Sequence, residues 1–116
     1  MISLRTPETE ARYTAVKLLR EPAECGICND LTIKEFTHWR IVANQFPYDA
    51  IAAVHHMAVP KRHASEESLT DEEWAELDVI KHDYVAEQYE IALETMPKKK
   101  SIPGHFHLHL LVLMPD

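Results

Sequence analysis

Residues 104–114 read "GHFHLHLLVLM", and this stretch decides the fold. His105, His107 and His109 alternate with Phe106, Leu108 and Leu110. Side chains of a β-strand project to opposite faces with a period of two, so this spacing predicts a strand with imidazoles on one face and apolar packing on the other. From Leu110 onward the residues are continuously apolar, as in a strand covered on both faces. Such a strand needs partners, and the chain supplies them upstream. "LTIKEF" (31–36), "THWRIVAN" (37–44) and "IAAVHHMAVP" (51–60) are dense in β-branched and aromatic residues, with Pro60 closing the third. Between them "QFPYDA" reads as a loop.

Two helices flank this set. Thr6, Pro7 and Glu8 form an N-cap, a first-turn proline and a favourably placed acid, predicting a helix to about Leu19 that Pro22 stops. Thr70 with Glu73 three residues on is a capping box. Trp74, Leu77, Ile80 and Tyr84 follow at helical spacing, predicting a long helix to about Thr95, ended by Met96-Pro97. The order α, β, β, β, α, β with consecutive strands predicts an α+β fold: an antiparallel sheet with a long helix and an N-terminal helix.

The 116 residues fit one domain, 1–116, long enough to build a core without disulfides. Nineteen acidic against twelve basic residues give a net charge of −7, which disfavours a nucleic-acid coat protein. A small phosphate ligand needs only a few aimed donors and is not disfavoured. The opening "MISLRTPETEARY" lacks the apolar core of a signal peptide, and no apolar run approaches the roughly 20 residues that span a bilayer. The expectation is a cytoplasmic protein without membrane attachment.

Three histidines in register admit three readings: a solvated strand face, a metal site built on His-x-His, or a nucleophilic imidazole with supporting neighbours. An unused exposed face draws more on Thr, Lys and Glu, which argues against the first. The remaining histidines are less informative. His56 faces away from His55 on a strand, as a structural or rim residue, and His38 and His82 have no partners in sequence. "CGIC" at 25–28 is a Cys-x-x-Cys in a turn. It follows a helix and precedes a strand, the reverse of a thioredoxin-like redox motif, so a zinc knuckle fits better and needs two further ligands. Two reduced cysteines without metal are the alternative.

"HFHLHLL" matches the histidine triad pattern His-φ-His-φ-His-φ-φ, φ being apolar, at every position. Upstream, His55, Pro60, Lys61 and His63 match the block that accompanies the triad. Over about residues 38 to 112 the chain thus resembles the histidine triad family. The resemblance implies a twisted antiparallel sheet with a long helix, usually in a homodimer, acting on a purine nucleotide or nucleotide conjugate. It implies nucleotide hydrolysis or transfer at the α-phosphate through a covalent nucleotidyl-histidine. His107 corresponds to the nucleophile, His109 to a phosphate contact or support, and His55 to the fourth histidine beside them. A backbone carbonyl is the expected partner for the other nitrogen of the nucleophile. Asn44 lies where relatives contact ribose, and Ser101 stands where many place a phosphate-contacting Gln. Members with a zinc site use two N-terminal cysteines, the His after Pro-Lys and the first triad His, which correspond here to Cys25, Cys28, His63 and His105. Four protein ligands make such a zinc structural.

The chain departs from the family at Val54, where Gly is common, at Ser101, and at Val112, where Pro is common. "MPKKKSIPG" replaces the usual loop before the triad. The charge run Lys98-Lys99-Lys100 either steers a polyphosphate or is a solvated loop. These departures keep open a nucleotide-binding module without turnover. A zinc-dependent hydrolase using the three histidines as ligands is a further alternative.

Overall fold

The computed structural model describes residues 3–19, 25–28, 30–96 and 104–115. Helix α1 spans Pro7–Leu19, and strands β1 (Thr32–Glu35), β2 (Trp39–Ala43) and β3 (Ala52–Pro60) follow. A 3-10 turn at Glu66–Ser68 leads into α2 (Asp71–Ile80), which continues as a π-helical turn at Lys81–Val85 and an α-helical turn at Ala86–Gln88. Strands β4 (Ile91–Leu93) and β5 (Leu108–Leu113) complete an antiparallel five-stranded sheet in the order β1-β2-β3-β5-β4. The fold is α+β.

The period-two pattern separates the two sheet faces. Trp39 and Ile41 of β2, Ala58 of β3 and Leu108 and Leu110 of β5 join Leu77 and Ile80 of α2 in one buried cluster. Val42, Met57 and Val59, on alternate positions of the same strands, form a second cluster with Ile27 from the cysteine turn. His55 shares the parity of Met57 and Val59, and Met57 pairs with His109 across the ladder. The helix therefore covers one face, and the other carries the histidines.

Local chemistry fixes the ends of the helices. Thr9 N–H donates to Thr6 Oγ1 at α1. At α2, Glu73 N–H donates to Thr70 Oγ1 while the Glu73 carboxylate accepts Thr70 N–H, so the capping box forms in full. The same carboxylate receives Arg62 through Nε at 3.0 Å and Nη2 at 2.8 Å. Trp39 Nε1 donates to Glu73 O at 2.7 Å, tying β2 to the start of α2.

Two expectations need correction. The helix from Thr70 ends at Gln88, not near Thr95, and Ile91–Leu93 is a strand. Tyr89 turns extended (φ −132, ψ 162), Glu90 N–H donates to Leu111 O, and Leu113 N–H donates to the Glu90 carboxylate. Pairing with β5 thus captures residues whose apolar spacing also suits a helix. The regular ladder of the last strand begins at Leu108, so His105 and His107 lie in its irregular lead-in. There Phe106 N–H donates to Ala64 O at 2.7 Å, which fastens the lead-in to the segment after β3. The expected Met96-Pro97 stop and the basic loop at Lys98–Lys100 reach beyond Met96 into residues outside those described.

Candidate metal cluster and histidine pocket

The lead-in strap brings His105 to the end of β3. His105 Nε2–H donates to Pro60 O at 3.1 Å, which leaves the lone pair on Nδ1. That Nδ1 lies 3.3 Å from Cys25 Sγ and 3.4 Å from Cys28 Sγ, and His63 Nδ1 lies 3.4 Å from Cys28 Sγ. Pro60 ends β3, Lys61 N–H donates to His38 O, and the chain then turns to deliver His63. The cysteine turn is held from below: Arg40 Nη2 donates to Ile27 O and Cys28 O, and Nη1 to Asp30 O.

The ligand atoms of Cys25, Cys28, His63 and His105 all lie within 4.8 Å of one another, so the four residues can hold a metal ion. Around tetrahedral zinc, bonds of about 2.3 Å to sulfur and 2.05 Å to nitrogen place S and N about 3.6 Å apart. The S···N separations of 3.3 to 3.4 Å are within a few tenths of an ångström of that. The bond from His105 Nε2–H to Pro60 O fixes the ring's orientation and tautomer, as an imidazole ligand needs. Among the described residues no other group of three or more such ligands is found, so His107 and His109 do not join His105 in a three-histidine metal site.

His107 and His109 instead line a cleft enclosing about 470 Å³, part of it open to solvent. Its other walls include Ile27, Asn44, Phe46 and Met57. Nδ1 of His107 lies 3.0 Å from His105 O. This is the carbonyl partner expected from the sequence, and it leaves the lone pair of neutral His107 on Nε2.

His55 and His109 form a directional chain. Tyr48 N–H can only donate, and it meets His55 Nδ1 at 2.9 Å. Neutral His55 therefore carries its proton on Nε2, which donates to His109 Nδ1 at 2.8 Å. His109, which lines the pocket, in turn carries its proton on Nε2, a buried atom that has no hydrogen-bond partner among the described residues. Burial first, and then the charges of Arg5, His56 and His107, push His55 down to about 3. Burial first, then His107, His55 and Arg5, do the same for His109, also to about 3. Both rings are neutral at physiological pH. Asn44 Nδ2 sits 3.4 Å from His55 Nε2, long for a bond and facing another donor, while Asn44 Oδ1 accepts Phe46 N–H at 2.8 Å. The 2.8 Å His55–His109 contact is the bond that matters.

The sequence-predicted residues thus divide into two adjoining groups. Cys25, Cys28, His63 and His105 form the cluster. His107, His109 and Asn44 line the pocket, with His55 behind His109. Ser101 lies outside the described residues. His56 turns to the helix side and meets Tyr89 OH at 2.7 Å, as its strand parity implied. His38 and His82 are exposed. Sequence reasoning missed Tyr48, whose backbone orients His55, and Arg5, which lines the pocket from the N-terminal segment. Neither carries a motif, and nothing local marks a residue before α1 as a neighbour of β5. No helix among the described residues is long and apolar enough to cross a membrane. No protein-family model matches the chain, and a comparison with curated proteins finds no match.

Proposed function

We propose that the chain is a nucleotide hydrolase or nucleotidyl transferase that works at the α-phosphate through a covalent intermediate on His107. The observation that carries this reading is the ordered tautomer chain. It ends in a buried donor, His109 Nε2–H, that has no partner among the described residues, and His109 lines the same pocket as a histidine whose Nδ1 is occupied by a carbonyl. A buried donor without a partner is costly, on the order of 1–3 kcal/mol, unless a ligand supplies the acceptor.

His107 Nε2 attacks the α-phosphorus, forming a P–N bond as the bond to the leaving group breaks. The positive charge that develops on the imidazole is held by His105 O at Nδ1–H. His109 Nε2–H donates to an oxygen of the phosphoryl group or of the departing group, and His55 keeps that proton in place. Water or a second acceptor then attacks phosphorus, breaks the P–N bond and returns His107 to its neutral form. Apolar Ile27, Phe46 and Met57 suit the nucleoside.

We assign zinc to the Cys₂His₂ cluster, because two thiolates and two imidazoles at near-tetrahedral separations suit it. Bound there, zinc would be structural and would fasten the cysteine turn to the segment that carries His107.

The test is a screen of adenosine and guanosine phosphoramidates, dinucleoside polyphosphates and nucleotide sugars with the native chain and His107→Ala. The expected result is turnover of at least one class by the native chain and its loss in the variant, with melting temperature and metal content retained. Undiminished turnover in His107→Ala would falsify the mechanism.

A further inference from the structure

Arg5 is the basic side chain among the pocket-lining residues, and the fold goes to some length to hold it there. The backbone is bonded on both sides of it: Ala50 N–H donates to Leu4 O at 3.0 Å, and Thr6 N–H donates to Asp49 Oδ1 at 2.9 Å. Asp49 also accepts both Thr6 and Thr9 hydroxyls, so the start of α1 is fastened to the β2–β3 loop. The Arg5 guanidinium is fixed as well. Its Nε donates to Phe46 O at 2.7 Å, and its Cζ stacks 4.2 Å from the Tyr13 ring centroid and 5.1 Å from that of Tyr48. Tyr48 in turn stacks against His55 and His109, with centroids 4.3 and 5.0 Å away.

The side chain is 14% exposed, and Nη1 forms one long ion pair, 3.5 Å to Glu10 Oε2. With Nε on Phe46 O, Nη1 on Glu10 and aromatic faces against it, the guanidinium is fixed in one plane, and Nη2 is the donor it offers an anion. A separate observation points the same way: His109, a pocket-lining residue 4% exposed, carries a buried Nε2–H that has no acceptor among the described residues. Asp30 lines the pocket too, and its carboxylate, bonded by Gln45 Nε2 at 2.8 Å, repels an anion from that part of the cleft and suits hydroxyl groups.

We propose that Arg5 is the anion-recognition residue of this pocket, seating a phosphoryl group jointly with His109 Nε2–H and selecting phosphorylated, anionic nucleotides over nucleosides and neutral conjugates. The selection of nucleotides rests on the function proposed above; the recognition of a phosphoryl anion does not.

The test uses pyrophosphate, AMP and adenosine with the native chain, Arg5→Gln and Arg5→Lys, by titration calorimetry. Arg5→Gln should weaken pyrophosphate and AMP about tenfold or more and leave adenosine within about twofold, with Arg5→Lys between them, since a bond to a charged group supplies roughly 1.5–3 kcal/mol. The Arg5 Nε–H resonance of the unaltered protein should also shift as pyrophosphate is added, which tests the proposal even if the variants fail to fold. An unmoved Arg5 resonance, pyrophosphate affinity preserved in Arg5→Gln, or an equal loss of adenosine, which would make Arg5 a loop anchor only, overturns the proposal. If pyrophosphate binds through Arg5 while AMP binds no better than pyrophosphate and adenosine not at all, the nucleotide reading falls and Arg5 stands.

Discussion

Removing the metal, or one of its ligands, should destabilise the chain by an amount that zinc concentration sets. The cluster's S···N separations of 3.3 to 3.4 Å fall within a few tenths of an ångström of those around zinc, so binding demands little rearrangement. Stabilisation then follows mass action: free zinc at a thousand times its dissociation constant adds about 4 kcal/mol. For a chain of 116 residues, at about 4 °C per kcal/mol, that is a rise of about 15 °C in melting temperature. Cys28→Ser should abolish most of the rise and leave the zinc-free melting temperature nearly unchanged. The assay is a thermal melt with and without zinc, across a pH series. Burial first, then the hydrogen bond and charge of Cys25, push the metal-free Cys28 thiol up to about 11. Zinc must displace that proton below this pH, so affinity should rise about tenfold per pH unit for each thiol proton displaced. Identical melts in zinc and in chelator, or a Cys28→Ser protein that responds like the native chain, would refute the reasoning.

Three further outcomes are expected. The Arg62 pair first, and the Thr70 bonds with it, hold the Glu73 carboxyl at about 2, below its ordinary 4.5. Its stabilisation is therefore full above pH 4.5 and is lost as pH falls toward 2, and Glu73→Gln should flatten the acid limb of a stability–pH curve in that window. Leu110 is fully buried between α2 and the sheet, so Leu110→Ala should cost about 2–5 kcal/mol in denaturant unfolding. His55→Ala removes the donor that fixes His109, so kcat should fall about a hundredfold or more while the fold persists. Nitrogen chemical shifts of His109 should then report loss of the Nε2–H tautomer, a signature that a purely structural role for His55 would not produce.

Features written in short-range chemistry were legible in the sequence. The Thr70–Glu73 capping box needs only four residues, and the period-two alternation of Phe106, Leu108 and Leu110 sorted the helix-covered face from the histidine face. Cys25, Cys28, His63 and His105 were named by resemblance, and they meet in one cluster. What was missed depends on pairing at long range. Ile91 stands seven residues after Tyr84, a helical interval, with no Pro or Gly between them, and only the bonds of Glu90 to β5 turn that segment into a strand. Arg5 enters the pocket because Asp49 and Phe46 fasten its segment, and both lie more than 40 residues on. Tyr48 acts through its backbone N–H, a group every non-proline residue has, so its identity could not announce the role.

The most direct test of the account is to mix the native chain with a nucleotide substrate that it turns over and quench rapidly in denaturant at alkaline pH, where a histidine phosphoramidate survives. Peptide mass mapping then locates any adduct. The account predicts one nucleotidyl group on His107, formed faster than steady-state turnover and absent from His107→Ala. Turnover without an adduct, or an adduct on another residue, would contradict it.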